Sequence, residues 1–136
     1  MNGRRYEPAR SVDAMSLHDR PTLAELLAVV RDYLTNEVAV TDDRRARFRA
    51  LIAANVLAVA ERELSLGPLD SIAEDRALAE LGYIEGDADV RRRELCAAIR
   101  AGEYDEPQRF AAAAAYARAM VLRKLAVANP RFDVSA

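Results

Sequence analysis

Residues 44–66 read RRARFRALIAANVLAVAERELSL, and at about 100° per residue this stretch is apolar on two opposite sides of a helix. Phe48, Ile52, Asn55, Val59, Arg62 and Leu66 share one stripe, and Ala46, Ala50, Ala53, Leu57 and Leu64 share the reverse side. A helix with one apolar stripe lies on a surface, whereas two such sides predict a helix sandwiched between partners. Thr41, Asp42 and Asp43 are N-terminal signals for it, and Gly67-Pro68 is predicted to close it.

The other elements are arranged around that one. Thr22 and Glu25 in TLAE form a capping box, and Leu23, Leu26, Leu27, Val30, Leu34 and Val38 follow as a single stripe, which predicts a peripheral first helix. Beyond Pro68, Asp70 or Ser71 caps a short helix carrying Ile72, Leu78 and Leu81, with Gly82 as its end. A fourth segment is predicted over 90–101, with Leu95, Cys96 and Ile99 facing inward and Gly102 as its stop. Asp105 is expected to cap a last long helix with Pro107 in its first turn, apolar at Phe110, Ala114, Ala117, Val121, Leu125 and Ala128, and closed by Asn129-Pro130. Its alanines let a neighbouring backbone approach, so it pairs with the central helix. No run of β-branched residues alternates at period two over strand length. The expected fold is all-α, a compact helical bundle of about five helices, three long and two short, with helix 2 central and paired with the C-terminal helix. The bundle is placed at 19–132, between a flexible N-terminal tail at 1–18 and a short C-terminal tail at 133–136.

Composition narrows the class. A chain of 136 residues, 51% hydrophobic, is one ordinary domain with enough core to need no disulfide or metal staple. Twenty basic against 22 acidic residues offer no global field for nucleic acid. The single cysteine, Cys96, excludes an internal disulfide and fits a reducing compartment. The first residues hold no apolar core of a secretory signal, and the longest apolar run, 110–117, is mostly alanine and far too short for a membrane span. A soluble cytoplasmic protein is expected.

Chemistry is sparse. His18 is the only histidine, so neither a di-iron bundle nor a typical zinc site has its ligands, and a nucleophile–histidine pair has one candidate base in the tail. No phosphate-cradling glycine loop occurs, and no cofactor is expected. Arg44, Arg45, Arg47 and Arg49 spread round most of the helix circumference, and with Arg91, Arg92 and Arg93 they read as solvated, ion-paired faces, with an anionic partner or phosphate ligand as the alternative. Four residues stand out as binding candidates. Asn55 sits near the middle of an apolar stripe, either as a buried amide that fixes register or as a contact to a ligand. Arg62 and Glu63 flank the same stripe, and Lys124 interrupts the apolar stripe of the last helix.

Four segments in order, DRPTLAELL at 19–27, AANVLAVAERE at 53–63, LCAAIRAG at 95–102 and KLAVANPR at 124–131, resemble a small bacterial domain family of unknown function. Members of that family occur beside, or fused to, aminoglycoside-phosphotransferase-like kinases and acyl-CoA dehydrogenases. The stretch 38–43 departs from the family, which usually carries a proline there. The resemblance implies a setting in small-molecule or acyl-CoA metabolism and assigns no catalytic residue. The leading expectation is a non-catalytic accessory or interaction module for a phosphotransferase-like kinase or acyl-CoA dehydrogenase. The alternative is a domain binding a small anionic or acyl ligand between helix 2 and the last helix, at Asn55, Arg62 and Lys124. Homodimerisation is expected from alanine-rich surfaces that the short helices cannot cover.

Overall fold

The structure, a computed structural model, describes residues 20–132; the tails expected at either end, and His18 with them, lie outside the described residues. Among the described residues the chain is all-helical, with four α-helices and one π-helical turn: α1 (Leu23–Tyr33), the turn Leu34–Val38, α2 (Arg44–Glu80), α3 (Ala88–Arg100) and α4 (Pro107–Ala128). It divides into two compact units that meet in sequence between Leu57 and Ala58.

In the first unit, α1 starts as its sequence dictates. Thr22 Oγ1 accepts from the Glu25 amide at 3.2 Å, and Glu25 Oε2 accepts from the Thr22 amide at 2.7 Å. These bonds, chiefly the one from the Thr22 backbone, hold the Glu25 carboxyl below its ordinary range. Asp43 caps α2, its carboxylate accepting from the amides of Arg45 and Ala46 at 2.9 and 3.3 Å. The expected sandwiching of residues 44–57 is not found. Ala50 and Ala54 are buried, but on the other side Phe48 is 65% and Ile52 48% exposed. The two buried side chains of this stretch are both alanines, small enough for a neighbouring backbone to approach closely. Leu23, Leu26 and Val30 of α1 are likewise exposed, so its stripe is only partly covered.

In the second unit two expected helices are one. α2 runs for 37 residues through Gly67 and Pro68, which corrects the count from five helices to four. Proline removes one amide and crowds the preceding turn, which usually ends a helix. Here contacts to α4 lie on both sides of it. Arg62 Nε donates to the Val127 carbonyl at 2.6 Å, Arg123 Nη1 to Asp70 Oδ1 at 2.6 Å, and the Tyr116 hydroxyl to Glu74 Oε1 at 3.0 Å. Pro68 itself is exposed, so water can take the carbonyl it leaves free.

Past the turn at Gly82, whose φ of 95° suits glycine, Asp87 caps α3 by accepting from the Val90 amide at 2.9 Å. The inward side of α3 is Leu95 and Ala98, so Cys96 and Ile99, expected inside, are exposed. Cys96 follows Leu95 by one residue and is turned about 100° from it. The cap of α4 is Glu106 rather than Asp105; its carboxylate accepts from the amides of Gln108 and Arg109, and Pro107 takes the first helical position. The core of this unit gathers Leu78, Leu95, Ala98 and Tyr104, with Leu81, Tyr83, Ala113 and Tyr116 packed against it. No helix among the described residues is long and apolar enough to cross a membrane.

Candidate functional site

Because α2 continues through Pro68, Glu63, Gly67, Asp70 and Glu74 recur at spacings of four, three and four and fall on one side of it. On α4 the same periodicity aligns Met120, Arg123, Lys124 and Val127. These two faces, with Ser71, Ala128 and Arg92 of α3, line a cleft of about 420 Å³ wholly within the second unit.

Two of its three cations are already engaged. Arg123 is held by Asp70, and Arg92 Nε lies 3.2 Å from Glu74 Oε1 while its Nη2 donates to Asp89 Oδ1 at 2.6 Å. Glu74 also accepts from Tyr116, so that carboxylate joins α2, α3 and α4. Burial first, and then the bond to Glu74, pushes the Tyr116 hydroxyl up to about 12. Lys124 and Glu63 have no hydrogen bond or ion pair among the described residues. The cleft therefore offers one uncommitted ammonium and one uncommitted carboxylate beside the apolar surfaces of Met120 and Val127.

The four residues singled out in the sequence separate into three places. Glu63 and Lys124 come together at the cleft. Arg62 does not line it; its guanidinium binds the carbonyl of Val127 and so tethers the end of α4 to α2. Asn55 is in the first unit, exposed, with no hydrogen bond among the described residues, so it is neither a satisfied core amide nor part of the cleft. Sequence reasoning missed Asp70, Glu74, Arg92, Tyr116 and Arg123. The signal for the acids was their common stripe with Glu63, concealed by ending the helix at Gly67. Among the described residues no group of three or more His, Cys, Asp or Glu side chains is placed to hold a metal ion.

Residues 40–132 match the family described as a domain of unknown function, DUF6285. The chain belongs to this family. The matched span takes in the whole cleft of this DUF6285 member and three of the four segments that carried the resemblance, leaving out residues 19–27. No curated protein and no solved structure matches the chain.

Proposed function

We propose that this chain is a non-catalytic binding module whose cleft between α2 and α4 takes a small ligand with an anionic head and an apolar or acyl tail. The observation that carries the reading is Lys124, the one cation of the cleft without an acidic partner among the described residues, standing beside Met120 and Val127. Arg92 and Arg123 are spent on carboxylates that hold the helices together, so a bound anion does not have to break the framework. The apolar lining takes the tail at roughly 25 cal/mol per Å² of surface removed from water. Such a module would serve as an accessory to a phosphotransferase-like kinase or an acyl-CoA dehydrogenase, the setting that the sequence resemblance implies.

The test is calorimetric titration of the full chain with octanoate, octanol and inorganic phosphate. Octanoate is expected to bind more tightly than either, and Lys124→Met to weaken it about tenfold or more, the loss of one hydrogen bond to a charged group. Equal affinity for octanoate in Lys124→Met, or no heat with octanoate at millimolar concentration, overturns the reading.

A further inference from the structure

The cleft of the second unit is lined by three carboxylates, those of Glu63, Asp70 and Glu74, and by three cations, those of Arg92, Arg123 and Lys124. Asp70 is paired with Arg123 and Glu74 with Arg92. One group of each sign is left, Glu63 and Lys124, and among the described residues these two do not pair with each other. The bonds from Arg62 to the Val127 carbonyl and from Arg123 to Asp70 tie α2 to α4. Between these ties α2 contributes Glu63 and Gly67 to the cleft, four residues apart on one ridge, and α4 contributes Lys124. Gly67 leaves a gap in that ridge, because a Cβ there would meet nothing within 4 Å. Ser71 continues the ridge beyond the gap, and Met120, Val127 and Ala128 supply apolar wall.

Resting on the binding reading above, we infer that the ligand's head is zwitterionic: an α-amino acid with an apolar side chain, its carboxylate on Lys124, its ammonium on Glu63 and its carbon chain against Met120 and Val127. A purely anionic head would satisfy Lys124 but bring a second negative charge beside Glu63, and that repulsion strengthens as the ligand displaces water from the cleft. A zwitterion of no net charge gives both groups a partner and leaves the balance of three acids and three bases as it was. The spacing suits a compact head. Gly67 is one turn from Glu63, about 6 Å along the helix axis, which a single carbon bearing both charged groups bridges with a hydrogen bond at each end.

Calorimetric titration of the full chain at neutral pH with octanoate, L-2-aminooctanoate and heptylamine tests this, since the second ligand differs from the first only by its ammonium and from the third only by its carboxylate. The amino acid is expected to bind about tenfold more tightly than either, the gain from one further hydrogen bond between charged groups. Glu63 is exposed and makes no hydrogen bond among the described residues, so Glu63→Gln leaves the packing intact. That variant is expected to weaken the amino acid about tenfold while octanoate binds as well as before or better. A change in the general field of the protein would leave a ligand of no net charge unmoved, so opposite responses of the two ligands mark direct contact. Octanoate that binds as tightly as the amino acid overturns this inference and leaves the anionic-head reading standing. A preference for the amino acid that survives Glu63→Gln, or heptylamine that binds as tightly as the amino acid, overturns the placement on Glu63 and Lys124; no binding of any of the three at millimolar concentration overturns both readings.

Discussion

Pro68 stands within a continuous helix and gives the sharpest test of the architecture. In a helix interior proline is about 3 kcal/mol worse than alanine, because it removes one amide and its ring meets the carbonyl four residues back, here that of Leu64. Against this, proline narrows the unfolded ensemble, which is worth about 0.4–1 kcal/mol to the native chain. Pro68→Ala is therefore expected to stabilise the protein by about 2 kcal/mol. Gly67→Ala should add about 0.5–1 kcal/mol, since a Cβ there meets nothing within 4 Å and the residue is not among the glycines at positive φ. For a chain of this length the pair corresponds to a rise in Tm of roughly 6–12 °C. Urea unfolding followed by circular dichroism measures it, with an unchanged m-value showing that the unfolded state is not the cause. The sign discriminates: were the helix to end at Gly67, Pro68 would be a compatible loop residue and its removal would lower stability. A neutral or destabilised Pro68→Ala refutes the continuous helix.

Two further predictions concern the second unit. Leu78 is the one large side chain with no exposed surface among the described residues, so Leu78→Ala is expected to cost about 2–5 kcal/mol in urea unfolding, and a loss below about 1 kcal/mol would show that the core is centred elsewhere. Tyr116 and Tyr83 are both pushed up to about 12 from an ordinary 10.0, by burial first and then by their bonds to Glu74 and Tyr104. A raised folded value means that the stabilisation is complete below pH 10 and is lost as the pH rises toward 12. Absorbance titration should show two late-ionising tyrosinates, of which Tyr116→Phe removes one; ionisation of every tyrosine near 10 contradicts the placement.

The all-helical class and most helix starts were legible because their signals are local. The Thr22–Glu25 box and the Asp43 cap use hydrogen bonds spanning at most three residues, and the structure contains them. The Asp105 cap missed by a single residue, since Glu106 is equally able to accept from free amides just before Pro107. What was not local was misjudged. Periodicity shows that Phe48 and Ile52 share a side of α2, but apolar character alone does not say whether anything in the same chain covers that side. Asn55 followed the same error, its burial inferred from neighbours that are themselves exposed.

The cleft was lost through one decision about one residue. Ending helix 2 at Gly67-Pro68 turned Asp70 and Ser71 into a cap and removed Glu74 from the stripe that holds Glu63, so three acids at spacings of seven and four never appeared as one surface. A proline's local cost is about 3 kcal/mol, whereas three side-chain contacts to α4, each including a charged group, act on the flanking turns. At about 1 kcal/mol each, more where a charge is buried, they suffice to offset it. None of the three is visible from α2 alone, because Arg123, Tyr116 and the Val127 carbonyl lie 42–65 residues away in sequence. The same contacts that carry α2 past Pro68 also engage Arg123 and Glu74, and that leaves Lys124 as the cation open to a ligand.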